Sequence, residues 1–171
     1  MTDQRKQIDE RLEQAKSLLE NSRLVEAEKH TEKILNDFPR NAEALYILAV
    51  CQRYLNRLEE ALKTLGKLKK IRPGYGRAFQ EEGHVSMKAG YISQAQRAYR
   101  HAVSLNNSLI ASWSGLTEIL KSKGKIEESK ITQYEYEKLK AFCKKHITKA
   151  KNKYYTKYFK DYSDNSKNNG I

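Results

Sequence analysis

The chain has 171 residues, of which 39% are hydrophobic and 32% charged, and its formal net charge is +12. A chain of this size has room for one domain with one hydrophobic core. Only two prolines and eight glycines interrupt it, and helix-forming residues dominate the stretches between them, so we predict an all-α protein.

The N-terminal residues and the cysteines predict the compartment. Residues 1–10 are polar and charged and lack the apolar segment of a signal peptide. No stretch of about 18 apolar residues occurs in the chain to span a bilayer. Cys51 and Cys143 have neither metal-binding nor redox spacing. We therefore expect a soluble, cytoplasmic protein with reduced thiols.

The most informative pattern is a period of 34 residues. Pro39 and Pro73 stand 34 residues apart, and the same step aligns bulky residues with bulky ones and small residues with small ones. The aligned residues are Leu45, Phe79 and Trp113 in one column and Ala27, Ala61 and Ala95 in another. A unit of this length cannot bury its apolar face alone, so neighbouring units stack into a solenoid with an extended surface.

Each unit is predicted to hold two helices joined by a tight turn. In chain order the first helices are expected near residues 8–21, 42–55, 76–89 and 110–123, and the second helices near 25–36, 59–70, 93–106 and 127–140. The units themselves span 8–41, 42–75, 76–109 and 110–140. Small residues in both helices, such as Gly83 opposite Ala95, predict a close approach of the pair. The turns fall on residue types that tolerate a left-handed backbone: Ser22, Asn56, Gly90 and Gly124.

These units resemble tetratricopeptide repeats. The resemblance is carried by LYILA at 45–49, AQRAYRHAVSLN at 95–106, WSGLT at 113–117, the turn glycines and the prolines. It implies a right-handed all-α solenoid that serves as a binding scaffold. The first unit departs from the pattern at Arg11 and Gln14, where a bulky residue and a leucine belong, and the fourth has Ala141 where a proline would close the repeat.

A longer segment carries a finer resemblance. Residues 72–129 are similar to the N-terminal repeat arm of bacterial proteins that join tetratricopeptide repeats to a sulfotransferase domain. In that family the enzyme follows the repeats. This chain has no Gly-rich loop of the kind that would cradle the phosphates of a sulfuryl donor, so on this resemblance it would be the arm without the catalyst.

The family resemblance implies a concave groove, lined by the first helix of each unit, that binds a peptide or partner protein. Helical spacing then predicts the groove-lining residues as Tyr46, Val50, Arg53, Arg77, Gln80, His84 and Met87. A mixture of tyrosine, arginine and histidine suits an acidic or aromatic peptide. The alternative is that the same side chains are ordinary solvated surface.

The C-terminal quarter is strongly basic. Residues 129–171 contain 11 Lys or Arg against 4 Asp or Glu, which is +7 of the total charge. The candidate basic surface comprises Lys144, Lys145, Lys149, Lys151, Lys153, Lys157 and Lys160. This strip predicts contact with nucleic acid or an anionic membrane surface, or else a capping helix over residues 141–162 that covers the open end of the solenoid. Residues 163–171 lack apolar periodicity and are predicted to be disordered.

Catalytic and metal-binding patterns are missing from the sequence. His30, His84, His101 and His146 occur in no metal-ligand spacing. We therefore predict a non-catalytic scaffold that needs neither a metal nor another cofactor. The alternatives are a sulfotransferase arm, binding of nucleic acid or membrane through the basic strip, and a secretion chaperone, which the basic charge balance disfavours.

Overall fold

The computed structural model describes residues 2–146, and this range is helical throughout apart from its turns. The helices are α1 (Thr2–Glu20), α2 (Leu24–Asp37), α3 (Ala42–Tyr54), α4 (Leu58–Ile71), α5 (Gly76–Lys88), α6 (Ile92–Leu105) and α7 (Ile110–Ser122). Residues 126–146 form a further helix, α8. The bounds of α2 to α7 lie within one residue of those expected from the repeat, whereas α1 begins at Thr2 rather than at residue 8. Residues 2–7 contain no glycine or proline to stop a helix.

Helix α8 continues without a break past residue 140, where the sequence suggested the end of the fourth unit. Ala141 replaces the proline that would close the unit, and nothing else there ends a helix. Residues 141–146 of the expected capping helix are therefore part of α8. The remainder of the capping helix 141–162 and the whole tail 163–171 lie outside the described residues.

The turn inside each unit repeats the same backbone geometry. Ser22, Asn56, Gly90 and Gly124 have positive φ angles of 58°, 63°, 80° and 69°. After each of them the next amide donates to a carbonyl five residues earlier, as from Arg23 to Leu18 at 2.9 Å and from Tyr91 to Ser86 at 2.8 Å. This is the Schellman end of a helix, which requires a left-handed residue at this position. The turn prediction is confirmed at all four positions.

Contacts between helices show which face of the array is concave. The first helices touch in sequence, because α1 contacts α3, α3 contacts α5 and α5 contacts α7. The second helices α2, α4 and α6, all within the described range, make no such contact with one another. Since the first helices are closer together, the array curves with α1, α3, α5 and α7 on its inner side. The all-α solenoid predicted from the repeat is confirmed.

The hydrophobic core runs along the array between the paired helices. In the middle units Leu45, Ala61, Leu65, Leu68 and Val85 are buried at 4% exposure or less. Burial of five such side chains contributes several kcal/mol, since each large aliphatic side chain contributes about 1.5–3 kcal/mol. A second cluster fills the first unit, so the departures from the repeat pattern there do not empty its core. Arg11 instead forms an ion pair with Asp37 at 2.7 Å.

The predicted aromatic column is not uniformly buried. Leu45 lies in the core, but Phe79 and Trp113 are only half-buried. They lie towards the second helices: Phe79 packs its ring against that of His101 at 4.2 Å, and the Trp113 indole donates to the Asn107 carbonyl at 2.8 Å. The place between first helices is taken instead by a residue of α6, Tyr99.

Tyr99 inserts its ring between two glycines. A Cβ atom at Gly83 of α5 would lie 2.3 Å from one edge of this ring, and a Cβ at Gly115 of α7 would lie 2.5 Å from the other. Contacts this short do not occur, so only glycine allows both helices to approach the ring. The sequence pattern placed Gly83 against Ala95; the tight contact is with Tyr99.

Candidate functional site

The inner face of α3 and α5 holds all seven residues predicted to line the groove, but they differ in accessibility. Tyr46 and Val50 are buried, at 8% and 7% exposure, so they support the face rather than project from it. Arg53, Gln80, His84 and Met87 are half-buried, and Arg77 is exposed. Arg77 is therefore the most accessible of the seven.

Arg77 lies over the ring of Tyr46. Its guanidinium carbon is 4.3 Å from the ring centroid, which is a cation–π contact. In the described part of the chain Arg77 makes this contact rather than an ion pair with a carboxylate. One face of the guanidinium is thus covered by the aromatic ring, while the side chain as a whole is exposed.

Tyr46 is itself held by a chain of contacts across units one to three. Its ring meets that of Tyr75 edge to face at 5.9 Å, and the Tyr75 hydroxyl donates to Glu43 Oε2 at 3.1 Å. Glu43 also lies 3.6 Å from the Lys16 ammonium of α1. Burial raises the pKa of Tyr75 to about 12, with Glu43 acting in the same direction, so its hydroxyl stays a donor at neutral pH. These contacts fix the Tyr46 ring that supports Arg77.

Arg53 is engaged by Glu81. The two side chains form an ion pair between α3 and α5 in which Glu81 is buried at 2% exposure. The Arg53 guanidinium also stacks on Tyr54 at 4.1 Å, and Lys88 donates to the Arg53 carbonyl at 3.1 Å. Breaking a buried pair to bind a ligand would leave Glu81 unpaired at a cost of about 3–5 kcal/mol. Arg53 therefore serves mainly to join α3 to α5, and its guanidinium is not free to bind a ligand.

His84 connects the inner face to the wedge formed by Tyr99. Its Nδ1 lies 2.8 Å from the Tyr99 hydroxyl, and the two rings meet at 69°. Burial lowers the pKa of His84 from its usual 6.5; Glu81 opposes this change and Arg53 adds to it. The imidazole is therefore neutral at pH 7, and we assign Nδ1 as the acceptor of the tyrosine proton.

Gln80 is the remaining polar residue of the predicted groove. Its Oε1 accepts a hydrogen bond from the buried Ser112 hydroxyl of α7 at 3.2 Å. The sequence did not predict four of the partners of the groove residues, which are Tyr75, Glu81, Tyr99 and Ser112. A signal for some of them does exist, because Glu43 with Tyr75, Glu59 with Tyr91 and Gln80 with Ser112 are all separated by 32 residues.

Only the first part of the predicted basic surface falls in the described range. Lys144 and Lys145 are exposed near the end of α8. Lys149, Lys151, Lys153, Lys157 and Lys160 lie outside the described residues. Between residues 2 and 146, none of the helices has the length and apolar character needed to cross a bilayer.

The curved array of helix pairs with a polar inner face defines a helical-repeat scaffold for protein interaction. Residues 11–81 match the tetratricopeptide repeat family model. The match covers 71 of the 171 residues and supports the tetratricopeptide repeat family that the sequence columns predicted.

Two human proteins are similar to the chain over part of their length. Tetratricopeptide repeat protein 7A of Homo sapiens is 27% identical over 116 residues, which cover 68% of this chain and 14% of that protein. Tetratricopeptide repeat protein 7B of Homo sapiens is 26% identical over 100 residues, covering 58% and 12%. The chain thus spans about one seventh or less of the curated relatives that it matches.

Solved structures share the fold at low identity. A MamA crystal structure has a TM-score of 0.65 at 20% identity and covers 84% of this chain and 81% of that one. MamA from residue 41 to its end, from Desulfovibrio magneticus RS-1, has a TM-score of 0.64 at 17% identity, covering 81% and 76%. A mutant O-GlcNAc transferase of Thermobaculum terrenum has a TM-score of 0.64 at 22% identity but is covered over only 22% of its length, against 66% of this chain. These likenesses establish the architecture.

Proposed function

We propose that this chain is a non-catalytic scaffold that binds an extended peptide or a segment of a partner protein on its concave face. Arg77, Gln80, His84 and Met87 would contact the ligand, and Tyr46, Val50 and Arg53 would support them. The observation that carries the proposal is Arg77, which is exposed, lies at the middle of the inner face and is positioned by the Tyr46 ring.

The setting of Arg77 favours a ligand with a carboxylate. A guanidinium binds a carboxylate through two parallel N–H donors, and a ring behind it restricts its orientation before the ligand arrives. Less side-chain freedom is then lost on binding. His84 and Met87 lie about two and three turns further along α5 and supply an aromatic and a soft apolar surface. The ligand that fits best is therefore an acidic segment with apolar residues a few positions away.

Binding to an array of synthetic acidic and basic peptides, followed by calorimetric titration of the tightest one, tests the proposal. Arg77→Ala is expected to weaken binding by roughly 1–3 kcal/mol, because a charge-assisted hydrogen bond is lost. Arg40→Ala is the matched control, since Arg40 is an exposed arginine in the turn before α3. Equal affinity of the Arg77→Ala variant and the unaltered chain would remove the concave face from the proposal.

A second candidate function is that of a repeat arm that works together with a catalytic domain. The match to 22% of an O-GlcNAc transferase supports it, because the same fold then forms part of an enzyme's chain. A sulfotransferase partner is the specific form that the sequence resemblance suggested. Sulfuryl transfer by the isolated chain would contradict the non-catalytic proposal, and transfer only after addition of a catalytic domain would support the arm hypothesis.

The basic surface that starts at Lys144 and Lys145 supports a third proposal, binding to an anionic polymer or membrane. Such binding releases counterions and so falls steeply with salt concentration. Retention on heparin or on anionic vesicles that is insensitive to salt would contradict it.

A further inference from the structure

The outer face of the array carries two clefts that repeat at the 34-residue step. The first, of about 480 Å³, lies between α5 and α6 and is lined by Phe79, Glu82, Gln94, Arg97, Ala98 and His101. The second, of about 260 Å³, includes Trp113, Leu116, Glu128, Ile131 and Thr132, which stand 34 residues after the first five. Both clefts involve second helices and the side of α5 and α7 that faces away from the groove residues. They form a surface distinct from the concave face.

The first cleft has a positive rim. Arg97 is exposed and takes part in no ion pair within the described residues, and His101 is exposed beside it. Helix α6 contains no Asp or Glu that could neutralise Arg97. The acidic residue of this cleft, Glu82, is already paired with Lys69 of α4 at 2.7 Å. The cleft therefore presents unneutralised positive charge.

The second cleft is apolar at its centre. Ile131 occupies the position of Arg97, and Leu116 occupies that of Glu82. Ile131 is 66% exposed, which is unusual for an isoleucine beside other apolar side chains. Arg100 and Glu128 form an ion pair at the edge of this cleft. The outer face is thus polar at the cleft of the third unit and apolar at the cleft of the fourth, so an extended ligand can bind it in only one orientation.

We propose that these two clefts bind one acidic amphipathic segment of a partner protein. A large apolar side chain of that segment enters the cleft between Trp113 and Ile131, and a carboxylate one repeat away meets Arg97 and His101. The site is separate from the concave face and does not depend on it.

The charge around the two clefts indicates which kind of segment binds there. The chain's own residues 147–162 contain five lysines and a single aspartate, so Arg97 repels them. A second copy of a chain with a net charge of +12 is disfavoured for the same reason. An acidic partner is attracted by Arg97 of the first cleft and supplies the apolar side chain that covers Ile131 in the second.

Trp113 provides a direct signal of occupancy because it is the chain's single tryptophan and lines the second cleft. The full chain is titrated with a synthetic amphipathic peptide that has leucines on one face and glutamates beside them. A matched peptide has lysines in place of the glutamates. We expect the acidic peptide to shift the Trp113 emission to shorter wavelength in a saturable way, and the basic peptide to leave it unchanged.

Substitutions locate the binding on the outer face. Arg97→Glu is expected to weaken binding of the acidic peptide by roughly tenfold or more, and Ile131→Glu to remove the emission shift. Lys63→Glu is the control, because Lys63 is an exposed residue that stands 34 positions before Arg97 on α4. All three side chains are exposed, so the variants should keep their helical circular dichroism.

Four results would overturn the proposal. Equal binding of the two peptides would show that charge does not select the ligand. Binding that requires Arg77 and leaves Trp113 emission unchanged would place the peptide on the concave face. Emission of the chain alone that depends on its concentration would assign the cleft to a second copy. A change in the emission of the unliganded full chain when the five lysines of residues 147–162 are replaced with glutamates would assign the cleft to the chain's own residues.

Discussion

The hydroxyl of Tyr99 lies 2.8 Å from Nδ1 of His84, so a residue on an outer helix reaches through the array to one on the inner face. The Tyr99 ring passes between Gly83 and Gly115 to make this contact. One side chain therefore fixes both the spacing of α5 and α7 and the orientation of an imidazole in the candidate groove. Tyr99 therefore contributes both to the stability of the third and fourth units and to the shape of the candidate binding face.

Replacing Gly83 with alanine is expected to destabilise the protein. The new Cβ would lie 2.3 Å from the buried Tyr99 ring, which cannot move without disturbing α7. Overpacking of this kind typically costs about 1–3 kcal/mol, measurable as a lower midpoint of urea unfolding. Gly66→Ala is the control, because no atom lies within 4 Å of a Cβ there, and it should stabilise helix α4 slightly. Equal effects of the two substitutions would contradict the wedge role of Tyr99.

His84 is expected to make stability depend on pH. Because burial lowers its pKa below the usual 6.5, the unfolded chain takes up a proton at a higher pH than the folded chain does. Stability is then complete above the unfolded pKa and falls as pH decreases from about 6.5 towards the lowered value. Urea unfolding across this range should show the fall in the unaltered chain and a smaller one in His84→Gln. The same slope in both proteins would rule out His84 as its source.

The Arg53–Glu81 pair should show strong coupling between its two partners. Arg53→Met leaves the Glu81 carboxylate buried and unpaired and is expected to cost about 3–5 kcal/mol. The double variant Arg53→Met/Glu81→Leu should lose less stability than Arg53→Met alone, because no buried charge remains in it. A double-mutant cycle measures the coupling. In the exposed Arg23–Glu26 pair the same cycle should give no resolvable coupling. Additive effects at Arg53 and Glu81 would show that the pair is not formed.

Substitutions at equivalent positions of the repeated turns are expected to change the stability of the chain in opposite directions. Ser22 and Gly90 both have positive φ, a conformation that glycine adopts more readily than other residues. Ser22→Gly is therefore expected to stabilise the chain, and Gly90→Ala to destabilise it by roughly 1–2 kcal/mol. Thermal unfolding of the two variants checks both signs. A loss of stability in Ser22→Gly would indicate that the serine side chain has a role beyond the turn.

The sequence was sufficient to predict the helix pairs and their turns. Residues in one 34-residue column have the same structural role in each unit. The turn column shows this, because all four of its members have a positive φ angle: Ser22, Asn56, Gly90 and Gly124. Cys51, which has no metal-binding or redox spacing, lies in the core, where burial raises its pKa to about 12.

The accessibility of the groove residues could not be predicted in the same way. A column compares equivalent positions, whereas Tyr46 is covered by residues of other columns, Tyr75 and Arg77. The insertion of Tyr99 between Gly83 and Gly115 depends on three different helices, so no single repeat contains it. These contacts arise when units are stacked, and the period alone does not specify them.

Neighbouring units are joined mainly where the second helix of one unit packs against the first helix of the next, as α4 packs against α5, and this has a mechanical consequence. Because α2, α4 and α6 have no close backbone contact with one another, a change in the outer spacing disturbs only side-chain contacts between them, such as Arg57 with Glu28 and Tyr91 with Glu59. The radius of the array then depends on how closely each first helix packs against the helices of the neighbouring units. Ligands of different thickness can be accommodated by a slight change of pitch, with the helices themselves remaining rigid.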